Sequence, residues 1–216
     1  MFLINGIYFK GTWTFKFDSA KTIPLPFTVP GSVAKTIPMM HQTTKYLYYQ
    51  NSALQMVDLP YGKGDFRMTV ILPVAGTDID AFIGSLSSAD WSTWVAGLDS
   101  EKVDLSFPRF KLKCDFRLNQ SLSDMGMGIA FTSAADFSRI SDAAGLQISE
   151  VKHKTYIEVN EQGTEAAAVT IVVVGDSVYP PNGEITMNVN RPFIFVIRDA
   201  PSGTLMFIGK VIDPTL

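Results

Sequence analysis

Cysteine is nearly absent. Among 216 residues only Cys114 occurs, so no intrachain disulfide can form and a disulfide-framed mini-protein is excluded. A lone thiol fits a reducing compartment, or an exported protein whose core is large enough without a staple. Histidine is scarce too: His41 and His153 are the only imidazoles. Neither lies beside a nucleophile elbow, and Gly-x-Ser-x-Gly does not occur. A Ser-His-Asp hydrolase has little to draw on here. No cluster of His, Cys and carboxylates has metal-ligand spacing, so neither a metal nor a cofactor is expected. Gly62-x-Gly64 lacks the rest of either phosphate fingerprint and reads as a turn.

Positive charge is not in excess. Eighteen Lys and Arg stand against 21 Asp and Glu, a formal charge of −3. The basic residues are not interleaved with aromatics, so neither nucleic acid nor an anionic membrane is an expected partner. No run of about 18 apolar residues exists, which excludes a spanning helix. The start, Met1-Phe2-Leu3-Ile4-Asn5, shows no charged leader region and no small-residue cleavage site, so no signal peptide is visible. It opens abruptly in strand-like sequence, which suggests missing upstream residues.

What is present is mostly β. The chain is 46% hydrophobic, enough for a sizeable core. Strands are expected over 2–9, 46–49, 53–58, 66–72, 151–159, 166–174, 184–189, 193–198 and 204–211. Val103 to Leu112 reads as extended and interrupted at Pro108. Ile79, Phe82, Ile83 and Leu86 recur at helical spacing after Asp78, a natural cap. Ser88 to Leu98 reads as a second short helix; Leu118, Leu122 and Met125 suggest a third, closed by Gly126. Pro24, Pro26 and Pro30 favour a loop or an edge strand. No linker divides the chain. The class is α+β, strand-dominated and multi-sheet, with a few short helices.

One segment is unusual. After Tyr156-Ile157-Glu158-Val159 come Glu161-Gln162-Gly163-Thr164-Glu165-Ala166-Ala167-Ala168-Val169-Thr170 and then Ile171 to Val174. Side chains this small do not suit a conventional strand core. They suit a strand that must slip into a tight slot between two others. In a strand, Thr164, Ala166, Ala168, Thr170 and Val172 share one face, and Glu165 assigns the other to solvent. The competing reading is an Ala-rich helix start capped by Thr164. The β-branched run from Val169 tilts against a long helix.

That stretch resembles the proximal hinge of the serpin family, and the likeness runs along essentially the whole chain. Asn5-Gly6-Ile7-Tyr8-Phe9-Lys10-Gly11-Thr12-Trp13 is similar to the family's central-sheet strand 3 leading to its breach tryptophan. Leu59-Pro60-Tyr61, Phe107-Pro108-Arg109-Phe110, Ala135-Asp136-Phe137-Ser138 and Val151-Lys152-His153-Lys154 match in family order. So do Asn190 to Ile197 and Met206 to Lys210.

The resemblance implies a partial serpin fold: one domain over 1–216 with its N-terminal part missing and an exposed reactive loop at about 163–184. It implies a suicide inhibitor of serine, sometimes cysteine, proteases. The protease cuts the loop and forms an acyl-enzyme. The cut loop then enters the central sheet as a new strand, a use of β-addition and strain release. Strand 3 would be about residues 2–13 and strand 5 about 150–162. Glu161, Gly163, Thr164, Ala166, Ala167 and Ala168 would form the hinge. Asn5 and His153 match the shutter, where they would hydrogen-bond beneath the opening strands. Trp13 and Arg109 match the breach, where Arg109 is expected to pair with Glu161.

Family spacing puts the cleaved bond at Ser177–Val178, with Val173, Val174 and Tyr179 as alternatives. No Lys or Arg lies between Gly163 and Asn190, which disfavours trypsin-like targets, whose specificity pocket demands a cation. Elastase-like or subtilisin-like targets are expected instead. The missing half implies a complementary N-terminal chain or segment. Family analogy implies an extracellular, cell-surface or periplasmic location. The alternative is a non-inhibitory serpin, or a truncated remnant serving as a binding module.

Overall fold

A computed structural model describes residues 1–141, 145–164 and 185–215. In chain order its elements are β1 (Phe2–Tyr8), β2 (Gly11–Thr12), β3 (Ile23–Phe27), β4 (Lys35–Gln50), β5 (Leu54–Tyr61), β6 (Phe66–Pro73), α1 (Ile79–Ser85), α2 (Ser88–Ala96), β7 (Asp99–Pro108), β8 (Phe110–Arg117), α3 (Asn119–Leu122), β9 (Glu150–Asn160), β10 (Gly163–Thr164), β11 (Ile185–Asn188), β12 (Phe193–Asp199) and β13 (Leu205–Val211). Contacts gather them into two compact units, Met1–Phe9 with Lys111–Ile157, and Lys10–Phe110 with Glu158–Leu216.

In the first unit β1 runs parallel to β9, in register from Phe2↔Glu150 to Tyr8↔Tyr156. β8 also pairs with β9. Asn119 sets where β9 begins. Its Oδ1 accepts from Val151 N at 2.9 Å, and its Nδ2 donates to Ser149 O at 3.0 Å. The side chain thus stands in for a strand's backbone amide. The helix expected through Met125 ends at Leu122. The next turn widens, with Gly126 at φ +100°, a conformation glycine adopts without steric cost.

In the second unit eight strands form one sheet, ordered β11-β7-β4-β5-β6-β12-β13, with β3 beside β4. The long strand β4 organises it, meeting β3 over Lys35–Met39, β7 over Met39–Tyr48 and β5 over Leu47–Gln50. The sequence suggested only the end of β4, residues 46–49. Pro38 and the polar run His41-Gln42-Thr43-Thr44 break the alternation that marks a strand. Pro24 and Pro26 do lie in an edge strand, β3, where a missing N–H costs no ladder bond.

Met56, Val57 and Leu59 of β5, Met68, Val70 and Leu72 of β6, and Phe193, Phe195 and Ile197 of β12 are buried. α1 and α2 cover Leu54, Met56, Ile71 and Ile194 with Trp94 and Phe82. Asp78 caps α1 by accepting from Ala81 N, and Ser87 with Asp90 forms a capping box at α2. This layered, buried sheet includes β5, whose last residue, Tyr61, reaches the site described below. The strand expected over 166–174 lies outside the described residues.

Candidate functional site: the hinge

At Asn160 strand β9 ends, and the chain reverses through Glu161 and Gln162 into β10. β10 is antiparallel to both neighbours. Gly163 and Thr164 face Asn160 and Val159 on one side and Thr12 and Gly11 of β2 on the other. The start of a new strand is therefore already seated between β9 and β2.

Only glycine fits the pivot. Gly163 has φ +144°, and a Cβ there would lie 2.0 Å from the Gly11 carbonyl oxygen and 2.7 Å from Thr12 Cα. Both contacts are with backbone, so nothing flexible can yield. Thr164, next in line, is fully buried. Its Oγ1 lies 2.7 Å from the Tyr61 hydroxyl, which satisfies both buried hydroxyls. Burial pushes the Tyr61 hydroxyl far above the usual phenol range, partly countered by the Thr164 hydrogen bond. Tyr61 is thus a neutral phenol at any physiological pH.

Trp13 closes the turn. It is buried, and its ring stacks on Tyr61 at 4.4 Å and 15°. Its Nε1 donates to Asn160 O at 2.8 Å, and its backbone N to Gln162 O at 2.9 Å. Phe17 N donates to Glu161 O at 3.0 Å, and Thr14 N to Pro60 O at 2.8 Å. The turn's carbonyls, orphaned where the ladder stops, are satisfied by the Trp13–Phe17 segment.

Glu161 is 5% exposed. Arg109 Nε donates to its Oε1 at 2.6 Å, Arg109 Nη2 pairs with the same oxygen, and Thr22 Oγ1 donates to it at 2.5 Å. The Arg109 side chain is 42% exposed. The pair therefore joins a buried carboxylate to a wet cation, and hydrogen bonds to the charge matter more than bulk Coulomb attraction.

The structure thus brings Trp13, Arg109, Glu161, Gly163 and Thr164 together, and the Arg109–Glu161 pair forms. Asn5 and His153 lie in the first unit, opposite one another in the β1–β9 register. Asn5 is exposed and His153 half-buried, and among the described residues no side-chain hydrogen bond joins them. Ala166, Ala167, Ala168, Val173, Val174, Ser177, Val178 and Tyr179 lie outside the described residues. The sequence reading gave no role to Tyr61, Thr22 or Phe17. Leu59-Pro60-Tyr61 was the only signal, as one of the matched motifs. Their contacts with the hinge span a hundred residues or more, beyond the reach of local periodicity.

A Ser-His-Asp grouping occurs elsewhere in the second unit. His41 Nε2 lies 3.1 Å from Asp104 Oδ1, and its Nδ1 lies 3.2 Å from Ser106 Oγ. Ser106 is only 6% exposed, so a substrate carbonyl could not reach its hydroxyl. The trio cross-links β4 to β7. Among the described residues no group of three or more His, Cys, Asp or Glu could hold a metal, and no helix is long and apolar enough to cross a membrane.

The family model described as Serpin (serine protease inhibitor) matches residues 1–214. Iripin-5 of Ixodes ricinus is 36% identical over 212 residues, which cover 97% of this chain and 53% of that protein. The leukocyte elastase inhibitor of Homo sapiens is 35% identical over 221 residues, covering 98% and 58%. The crystal structure of Tengpin, a thermophilic serpin in the native state, superposes with a TM-score of 0.88 at 32% identity, over 98% of this chain and 55% of that one. The chain spans about half the length of the curated relatives it matches.

Proposed function

This chain belongs to the serpin family, and we propose that it is the C-terminal part of a serine protease inhibitor that traps its target by inserting its own cleaved loop into a sheet. The carrying observation is β10. Gly163 and Thr164 already run as the first two residues of a strand between β9 and β2, antiparallel to both. The residues that follow, from Glu165 to Thr170, are mostly small and suit extension along the same path. The likeness to a leukocyte elastase inhibitor supports a serine protease as partner.

Insertion supplies the driving force. About a dozen residues would gain ladder hydrogen bonds, each worth roughly 1 kcal/mol net. Burial of the Thr/Ala/Val face adds to this. A total on the order of 10 kcal/mol rivals the stability of a whole domain. Such a gain can drag a covalently attached protease and distort its site before deacylation.

The reactive loop is proposed at about 163–184, with the cut at Ser177–Val178 or nearby at Val173, Val174 or Tyr179. The absence of Lys and Arg from Gly163 to Asn190 points to an elastase-like or subtilisin-like target. An extracellular, cell-surface or periplasmic location belongs to the same proposal and rests on family analogy.

The test is to incubate the complete protein with pancreatic elastase and with subtilisin and run a denaturing gel. A band at the summed mass that survives SDS is expected, with the cut mapping to 173–179. Cleavage there without such a band would mean a non-inhibitory serpin or a binding module.

A further inference from the structure

Inhibition by insertion is a race. The cut loop must enter the sheet before water hydrolyses the acyl-enzyme, so the position of the loop's first residues at the moment of cleavage affects the outcome. Thr164 is fully buried between β9 and β2 while the loop is uncut. Among the described residues β10 comprises Gly163 and Thr164, and two ladder positions by themselves hold a strand weakly.

We infer that Tyr61 is a positioning residue of the hinge, a latch whose hydroxyl holds Thr164 seated before cleavage; this rests on the insertion reading above. The phenol is fixed on several sides. Its ring stacks on Trp13, and Tyr61 ends β5 opposite Phe66, where the hairpin turns into β6. From the same hairpin Gly62 N donates to Thr12 O at 2.8 Å. The hydroxyl that holds Thr164 and the strand that flanks it therefore hang from one hairpin.

Three residues earlier in β5, buried Asp58 accepts from Thr69 of β6 and from Arg198 of β12. That charge-assisted network pins β5 to the middle of its sheet. The latch is thus mounted on a strand buried within the eight-stranded sheet and tied to both β6 and β12. It acts at 2.7 Å on Thr164, the buried hinge residue that follows the pivot. With Thr164 held, insertion propagates from an existing strand. With Thr164 released, it must first nucleate one, the slower step in any ladder.

The test uses four variants of the complete protein: Tyr61→Phe, Thr164→Val, the double variant and Thr164→Ser. The first readout is amide hydrogen exchange at Gly163 and Thr164 in the uncut protein. Loss of one net hydrogen bond is expected to speed exchange about five-fold in Tyr61→Phe and in Thr164→Val. The double variant should be no faster than either, and Thr164→Ser, which keeps the hydroxyl, should match the parent. Unchanged exchange in Tyr61→Phe, or additive effects in the double variant, would overturn the latch.

The second readout is the reaction with elastase. The number of inhibitor molecules consumed per protease inactivated should rise in Tyr61→Phe, while the association rate constant, set by residues farther along the loop, stays put. A fall in association rate with unchanged consumption would indicate a merely structural role and overturn the proposal. Should the parent form no covalent complex, the insertion reading fails, and the exchange experiment still decides the latch. Should Tyr61→Phe fail to fold, Thr164→Val removes the same hydrogen bond from the other side.

Discussion

Besides β8, strand β9 has two different neighbours along its length. Over Glu150–Tyr156 it is paired directly with β1, residue for residue. Over Val159–Asn160 its partner is β10, which pairs in turn with β2. The two stretches also differ in what surrounds them. The β1 side carries large exposed side chains, with Phe2 at 69% and Ile4 at 73%. The β10 end is built from Gly163 and Thr164 under a buried canopy of Trp13, Tyr61 and Glu161. The strand seated beside β9 is thus made of small residues under a clamp, and under the insertion proposal a longer one would take the place of the β1–β9 pairing. Within this chain the hinge residues should therefore be more sensitive to substitution than those of the ladder.

The largest effect is expected from Thr164→Arg. The site is closed, and the nearby Glu161 carboxylate is already held by Arg109 and Thr22, so burying the new cation would cost several kcal/mol. Thr164 would stay out of the sheet, and the protein should be cut as a substrate. The ratio of covalent complex to cleaved product on a gel reads this directly, and an unchanged ratio would erase the distinction between hinge and ladder.

Gly163→Ala should come next. Its Cβ would collide with the Gly11 backbone, and its φ lies where L-residues are strained. A loss of at least about 2 kcal/mol is expected in urea unfolding, if the turn does not simply open. A loss under about 0.5 kcal/mol, with Thr164 still protected from exchange, would show that the backbone there has slack.

Legibility in the sequence tracked the range of the interactions. Gly163 could be placed in the hinge because the stretch it opens resembles the family's proximal hinge, and the Arg109–Glu161 pair could be expected from motifs in family order. Asp78 and the spacing of Ile79 and Phe82 announced α1 because caps and periodicity are local too. Tyr61 could not be read as part of the hinge, since its hydroxyl meets Thr164 only after β5 and β10 are brought together. Most of β4 was hidden for a related reason. It is held by β3, β7 and β5 in succession, and no single pattern of buried faces runs along it.

Smaller effects complete the contrast. Arg109→Ala would leave the Glu161 carboxylate buried with Thr22 still donating, a loss of about 1–3 kcal/mol by denaturant unfolding. Because Glu161 is shielded, added salt should change that loss little; a strong salt dependence would mean the pair is effectively a surface contact. Asn5→Ala, on the exposed face of the ladder, should cost below about 0.5 kcal/mol before cleavage. A loss as large as that of Arg109→Ala would show the ladder to be as tightly specified as the hinge.

Melting the complete protein before and after a single cut between residues 165 and 184 addresses the opening of the ladder most directly. If the cut loop extends β10 and replaces the β1–β9 pairing with a full added strand, the gain on the order of 10 kcal/mol should raise the melting temperature by roughly 20 °C. A melting temperature that stays the same or falls after the cut would mean that β10 ends where it is seen and that the loop never enters.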